Sequence, residues 1–279
     1  MPELPEVEAV AQTLRPLVRG KKIRSVHVFH PIATKPQRPA CLARLSTNQT
    51  IRQVSRHGKY LIFELTKGIL VLHFRLDGQL LWFSSARELL SKANRSPHDV
   101  HVDVAFELNS GVIGFADRRH FGRVHYFESN ADCSGLRSLG MDALSKEFTR
   151  ARFAAMLAAS RRPLKEFLLD QSRVAGIGNI YSCESLWHAR IDPRRRADSL
   201  GKEESAKLHK AIVSVLRRAL ECCLHPAPDF RDPAWWFRGL EKILRAYDLE
   251  DRHCRRCGSL IRRIAQGGRS TYFCSACQK

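Results

Sequence analysis

Residues 254–277 read CRRCGSLIRRIAQGGRSTYFCSAC. Two CxxC pairs, Cys254 with Cys257 and Cys274 with Cys277, flank a sixteen-residue spacer. Each pair can bend around one metal, and four thiolates close a tetrahedral Zn²⁺ site with no open position. Such a zinc is structural rather than catalytic. Inside the spacer, LIRRI and STYF have strand character, and Gln266-Gly267-Gly268 marks the turn between them. The pattern predicts a zinc-ribbon hairpin with Arg269 at or beside its tip. Arg255, Arg256, Arg262 and Arg263 crowd the same small unit. Singly each is a solvated surface residue; together on a stapled hairpin they suggest a grip on phosphates.

Working back along the chain, residues 168–186, LLDQSRVAGIGNIYSCESL, hold two helical patterns joined by Ala175-Gly176-Ile177-Gly178-Asn179. Two close glycines permit a tight backbone turn, and Asn179 can cap the helix that follows. Free N–H groups at such a helix start suit a phosphate, though a plain helical linker has the same pattern. Further helical stretches precede and follow it, among them PLKEFLLDQ and the long KEESAKLHKAIVSVLRRALECCL. Before residue 130 the character is different. Short β-rich runs (IRSVHVFH, IRQVSRHGKYLIFELT, ILVLHFRL, VHVDVAFEL, VIGFAD, GRVHYFE) alternate with turn signals at Lys67-Gly68, Asp77-Gly78 and Ser110-Gly111. They predict an antiparallel sandwich with hairpins at those turns. The polar SNADCSG near residue 130 has the composition of a linker.

The 279 residues carry 47 Lys and Arg against 28 Asp and Glu, a formal charge of +19, which points to a polyanionic partner. There is no apolar run of transmembrane length and no signal-peptide pattern. The nine cysteines suit metal binding and free thiols better than a disulfide framework. Against this basic background the chain begins with an acidic, proline-pinned knot, MPELPEVE. Pro5 suits the first turn of a helix, and the glutamates suit its positive end. Val7, Val10, Leu14 and Leu17 supply an apolar stripe at helical spacing. A helix alone leaves Pro2 unexplained.

Taken together, PELPEVE, GKYL, DRRHFG, LLDQ…VAGIGNIY and GGRSTYFC…CQ resemble, end to end and in order, the formamidopyrimidine-DNA glycosylase / endonuclease VIII family, its formamidopyrimidine branch in particular. The resemblance implies an α+β fold with three parts: an N-terminal helix plus antiparallel β-sandwich in a catalytic domain over residues 1–130, a helix–two-turn–helix domain over 131–250, and a C-terminal zinc-ribbon finger over 251–279. Damaged double-stranded DNA would lie between them. It implies a base-excision-repair glycosylase that removes oxidised or ring-opened bases and then cleaves the abasic strand by β,δ-elimination. One structural Zn²⁺ is expected, with no small-molecule cofactor and no membrane. The protein is expected to be a monomeric, cytoplasmic enzyme acting at the bacterial nucleoid.

Residue roles follow by matched position. Pro2, exposed by loss of Met1, presents a secondary α-amine. An α-amine titrates near pH 8, so a useful fraction is neutral and nucleophilic. Glu3 would protonate the deoxyribose ring oxygen, Glu6 would support sugar and amine, and Lys59 would contact phosphate and donate a proton in β-elimination. Arg269 would grip phosphates beside the lesion and assist δ-elimination, and Asn179 would bind the same backbone segment. Arg119 and Phe121 would fill the gap left by the flipped base and wedge the opposite strand. His98, Arg161 and Lys165 match DNA-contacting positions, and the four cysteines are the metal ligands.

Three departures stand out. Where the family has a methionine wedge, HFRLDG offers Arg75 and Leu76, so Leu76 takes that role. YDLEDRHC lacks the usual Gly-Arg pair before the finger. The segment expected to cap a flipped 8-oxoguanine is replaced by CCLHPAPDFRDPAWWFRGLEK. Its Trp235 and Trp236 could stack on a base or dock into a core. Without the usual capping loop, abasic and formamidopyrimidine sites are expected ahead of 8-oxoguanine. Two other readings use the same fold: an endonuclease VIII-like enzyme for oxidised pyrimidines, and a non-catalytic DNA-damage-binding relative. The latter needs none of Pro2, Glu3, Glu6 and Lys59.

Overall fold

The computed structural model describes residues 2–92, 101–225, 229–230 and 239–279. His98, Trp235 and Trp236 lie outside the described residues. By contact, the chain divides into two compact units: residues 2–137 with the described part of 223–238, and residues 138–222 with 239–279.

The first unit begins with α1 (Leu4–Val18), whose Leu4, Val7, Val10, Leu14 and Val18 are fully or almost fully buried. Pro5 sits in the first turn, where a missing N–H costs nothing. Two four-stranded antiparallel sheets follow. One is built from β1 (Ile23–Val28), β5 (Gln79–Phe83), β6 (Val102–Leu108) and β7 (Val112–Ala116), in the order β1-β6-β7-β5. The other is built from β2 (Ile51–His57), β3 (Tyr60–Leu65), β4 (Ile69–His73) and β8 (Arg123–Phe127), in the order β2-β3-β4-β8. Helix α2 (Pro39–Ser46) and helix α3 (Ala86–Lys92) complete the unit. Strands β6 and β7 are apolar and buried almost throughout, as expected of central strands.

Two of the three expected hairpins form. Leu65 N–H bonds to Gly68 O across β3–β4, and Leu108 N–H to Gly111 O across β6–β7. The third differs. At Asp77-Gly78 the chain leaves β4 and enters β5, which pairs with β7 in the other sheet. Gly78 N–H closes the turn on Phe74 O at 2.9 Å. A Cβ at Gly78 would lie 2.5 Å from that carbonyl, so glycine here serves a close backbone approach rather than a hairpin. The SNADCSG stretch is also not slack chain. It forms a short 3₁₀ turn and the one-turn helix α4 (Ser134–Arg137), which bury Cys133 and Leu136.

The second unit pairs two short parallel strands, β9 (Met141–Asp142) and β10 (Val174–Ala175), beside helices α5 (Arg150–Ala158), α6 (Leu164–Leu169), α7 (Asn179–Ala189) and α8 (Lys202–Leu224). Thr149 caps α5 through Arg152 N–H. The chain then passes through α9 (Leu240–Ile243) into the hairpin of β11 (Arg262–Gln266) and β12 (Arg269–Phe273). Gly267 and Gly268, both at positive φ (56° and 72°), make the two-residue turn. The hairpin shares a core with α7, through Cys183, Trp187, Ala246, Ile261 and Tyr272. Glu184 is buried on α7, and its carboxylate accepts the backbone N–H groups of Arg245, Ala246 and Tyr247 at 2.8–2.9 Å. Among the described residues no helix is long and apolar enough to cross a membrane.

Candidate active site and metal centre

In the first unit the acidic knot is the start of α1. Glu3 occupies the N-cap with extended backbone, and its N–H donates to Glu6 Oε2 at 2.8 Å. A side chain three residues on thus satisfies one of the donors that every helix start leaves open. Glu3 and Glu6 are each 1% exposed, and Pro2 is buried beside them. Two buried carboxyl side chains at the very tip of a helix are an unusual investment for a fold alone.

Lys59 lies in the two-residue turn between β2 and β3, 8% exposed. Two side chains absent from the sequence reading tie that turn to α1. Arg56 Nε pairs with Glu8 Oε2 at 2.8 Å, and Arg56 Nη1 donates to Gly58 O at 2.9 Å. Arg15 Nε holds Val54 O on the same strand at 2.9 Å. The helix that carries Glu3 and the turn that carries Lys59 are therefore one rigid piece. Glu8 was legible only as an acidic residue near a helix dipole; its partner is 48 residues away.

His73, paired with Tyr60 across β3–β4 next to Lys59, accepts Arg75 N–H on Nδ1 at 3.0 Å and packs edge-on against the Tyr60 ring. Burial, with Arg75 and then Lys59, pushes its pKa down to about 3. The folded form therefore holds a neutral imidazole that the unfolded chain protonates below about pH 6.5. The stability this contributes is present above pH 6.5 and fades as pH falls toward 3. Asn at position 73 keeps an acceptor and removes the titration. Thermal melts between pH 7 and 4.5 are expected to fall ~2–5 °C less for His73→Asn than for the parent. Parallel curves would remove His73 from the account of acid sensitivity.

The β4–β5 crossing turn and the β7–β8 loop meet through an ion pair between Asp77 and Arg119. Arg119 also lies over the Phe121 ring, 5.7 Å from its centre, and Phe121 is 49% exposed. Leu76, half-buried, and Arg75, exposed at positive φ (55°), share the turn with Asp77. The three expected wedge residues, Leu76, Arg119 and Phe121, are thus gathered by Asp77, which the sequence reading used only as a turn marker.

In the second unit the glycine turn is stapled by Gln171. Its Oε1 accepts Gly176 N–H at 3.0 Å and its Nε2 donates to Ile177 O at 2.7 Å. Asn179 does not cap α7. Gly178 is the N-cap and Asn179 the first helical residue. The freed amide donates from Nδ2 to Ser270 O at 3.0 Å, while Oδ1 is buried with no hydrogen-bond partner among the described residues. Lys165 also departs from expectation. It is fully buried, with Nζ at 3.0 Å from Cys183 Sγ, 3.3 Å from Thr271 Oγ1 and 3.4 Å from Ser270 O. A lysine so placed cannot touch DNA itself; it braces β12. Burial pushes the Cys183 thiol up despite the pull of that ammonium.

Ser270 is held from two helices, and the residue before it is Arg269, exposed, whose backbone pairs with Gln266 and whose side chain has no hydrogen bond or ion pair among the described residues. Arg255 and Arg262 are likewise exposed. Two other arginines of the cluster are committed elsewhere. Arg256 stacks on Trp187 at 3.9 Å, and Arg263 bonds to Ser270 Oγ and pairs with Glu250. Arg161 is exposed on the chain between α5 and α6.

The four cysteine sulfurs converge within 4.8 Å of one another. Cys257 and Cys274 sulfurs are 3.5 Å apart, and Cys254 and Cys277 sulfurs 3.9 Å apart. Zn–S bonds of ~2.3 Å in a tetrahedron require S–S edges of about 3.8 Å, so the set fits zinc. Trp187 Nε1 donates to Cys254 Sγ at 3.4 Å, an outer contact that orients one ligand. The centre is a structural zinc site, closed by protein on all four sides.

A buried acidic helix tip on a β-sandwich, a glycine-turned helix pair and a four-cysteine hairpin define a three-module architecture, and comparison with known proteins finds each module in turn. Residues 1–124 match the formamidopyrimidine-DNA glycosylase N-terminal domain, residues 139–224 the formamidopyrimidine-DNA glycosylase H2TH domain, and residues 254–279 a zinc finger found in FPG and IleRS. The formamidopyrimidine-DNA glycosylase of Bacillus licheniformis is 37% identical over 283 aligned positions, covering 100% of both chains. Two crystal structures of the Lactococcus lactis enzyme superpose closely. One, bound non-covalently to DNA containing an abasic site, has a TM-score of 0.83, 29% identity and 99% coverage of both chains. The other, with DNA containing N7-benzyl-Fapy-dG, has a TM-score of 0.85, 29% identity and full coverage of both. The chain belongs to the formamidopyrimidine-DNA glycosylase family.

Proposed function

We propose that this protein is a base-excision-repair DNA glycosylase that removes oxidised or ring-opened bases and cleaves the abasic strand that results, in the bacterial cytoplasm. The observation that carries the reading is the start of α1: Pro2 beside two buried carboxyl side chains, with Glu6 fixing the backbone of Glu3 at 2.8 Å. Removal of Met1 makes Pro2 Nα a secondary amine. That nitrogen attacks C1′ of the damaged nucleotide as the C1′–N-glycosidic bond breaks, leaving an iminium link to the sugar. Glu3 protonates the deoxyribose ring oxygen, and Glu6 holds the Glu3 backbone and supports the amine. Lys59, locked to the same helix through Arg56 and Glu8, donates a proton in the β-elimination that follows. Arg269 and Asn179 hold the phosphates beside the lesion, with Lys165 bracing the strand from below. Arg119, Phe121 and Leu76 occupy the space that a flipped base vacates, which offsets the lost stacking.

The deciding experiment is reductive trapping. Borohydride added during turnover on lesion DNA is expected to join protein to DNA through Pro2, and Pro2→Gly to slow that trapping. Attachment through a lysine with Pro2 unmodified would refute the assignment and leave the N-terminal knot a folding device.

A second measurement addresses the phosphate grip. Arg269→Ala should weaken binding to abasic and base-lesion duplexes alike, and lower the slope of log affinity against log salt by roughly one unit. A change confined to base preference would make Arg269 a base reader instead.

A further inference from the structure

Among the described residues, two groups bring three or more metal-ligating side chains together. One is the finger. The other is His30, Asp103 and His120 in the first unit, whose ligand atoms all lie within 4.8 Å of one another. These residues come from three separate elements: the end of β1, the start of β6 and the β7–β8 loop. None of them has a part in the chemistry above.

The backbone around them is fixed before any ligand arrives. Phe29 and His30 N–H groups both donate to Asp103 O, at 2.8 and 3.2 Å. Asp117 Oδ1 accepts Arg119 N–H and Oδ2 accepts Gly122 N–H, at 3.0 and 2.6 Å. Arg123 Nη1 reaches the carbonyls of His120, Phe121 and Gly122 at 2.7–3.0 Å. His120 itself sits at positive φ (54°), a strained conformation for a non-glycine residue that aims its ring at Asp103.

Inside this frame Asp103 is fully buried. Its Oδ1 meets His120 Nδ1 at 2.8 Å, while Oδ2 is buried with no hydrogen-bond partner among the described residues. A buried carboxylate oxygen left unpartnered is costly, and a cation is one remedy for it. The His30 ring lies 4.6 Å from the His120 ring, close enough for one ion to engage both, and both imidazoles are partly exposed and reachable from solvent.

We propose that His30, Asp103 and His120 form a second, exchangeable site for a borderline divalent transition metal, with Zn²⁺ the natural occupant. Two imidazoles and one carboxylate suit Zn²⁺, Co²⁺ or Ni²⁺ rather than Mg²⁺ or Ca²⁺, which prefer all-oxygen shells. Three protein ligands leave an outward position for water, unlike the closed finger. Bonds of ~2.1 Å imply ligand spacings of about 3.4 Å, so side-chain rotation must adjust the set, opening the 2.8 Å contact of Asp103 with His120 and closing the wider spacings. Occupancy would tie His120, between Arg119 and Phe121, to the sandwich. On the functional reading above, metal binding would restrain the loop that enters the gap in DNA. The site itself does not depend on that reading.

The test uses the full chain with its finger zinc already bound, titrated with Co²⁺ as the probe and with Zn²⁺ in parallel. One further equivalent per chain is expected. Bound Co²⁺ should show weak d–d absorption without the intense thiolate charge-transfer bands of the finger. His30→Gln and His120→Gln should each weaken that equivalent by at least tenfold while finger zinc content and far-UV circular dichroism stay unchanged. His30 lies outside the strained loop, so its variant reports on ligation even if the His120 variant rearranges. Absence of a second equivalent, or one that survives both substitutions, would overturn the proposal. Because the readout is stoichiometry and spectrum, a protein inactive as a glycosylase would still decide it.

Discussion

Glu3→Gln will lose base excision by at least ~100-fold yet keep cleavage of a ready-made abasic site within about tenfold of the parent. A positioned general acid typically contributes about 10²–10⁴ in rate. The amide is isosteric and leaves the Glu3 N–H to Glu6 Oε2 bond in place, so helix α1 should keep its start. The two steps separate because an abasic sugar has no base left to expel, while strand cleavage still has Pro2 and Lys59. Single-turnover rates on matched duplexes, one with a formamidopyrimidine lesion and one with an abasic site, measure the split. Equal losses on both would mean that the substitution disturbed Pro2 or the helix tip as a whole, and that Glu3 is not the acid.

Removal of zinc carries the second large effect. Cys274→Ser, or chelation strong enough to strip the finger, should lower affinity for lesion DNA by at least ~100-fold with the β-sandwich still folded. The hairpin is two five-residue strands. Its apolar support is a small cluster shared with α7, and structural zinc contributes an apparent ~10–16 kcal/mol in comparable peptides. Without the metal, the strand order that presents Arg269 is lost. The first unit has its own buried core, separate from that cluster, so it should survive. Zinc analysis, circular dichroism and a binding titration on one preparation check all three points. Metal-free protein that binds lesion DNA as tightly as the parent would contradict the role given to the finger.

The parts of this molecule legible in sequence are those whose physics is local. CxxC spacing fixes a ligand geometry within four residues, and Gly267-Gly268 dictates a two-residue turn. The stripe of α1 follows from a 3.6-residue period at Val7, Val10 and Leu14, while Leu17, expected on the same stripe, is 39% exposed. What escaped detection depends on partners far away in the chain. Asp77-Gly78 signals a turn, but no turn signal states which strand the chain pairs with next, and here it changes sheet. Lys165 matches a DNA-contacting position by sequence, whereas the fold buries it against a thiol, a hydroxyl and a carbonyl. Asn179 suited a cap by type, yet Gly178 takes that position and releases the amide for Ser270. The His30, Asp103 and His120 set has no spacing to notice, since its members come from the end of β1, from β6 and from the β7–β8 loop and are gathered only by the fold. The DRRHFG loop stands out by its motif, but the Asp77 that pairs with Arg119 does not.

The double hold on Ser270 bears on how such a chain can diversify. One carbonyl takes donors from Asn179 on α7 and Lys165 on α6, so the height of Arg269 above the glycine turn is set locally. None of the bonds that set it comes from a described residue between Leu224 and Leu240. Each doubling of loop length adds only about 0.6 kcal/mol of closure entropy. A change of chain length that leaves α6, α7 and the finger hairpin intact therefore carries the spacing between arginine and asparagine along unchanged.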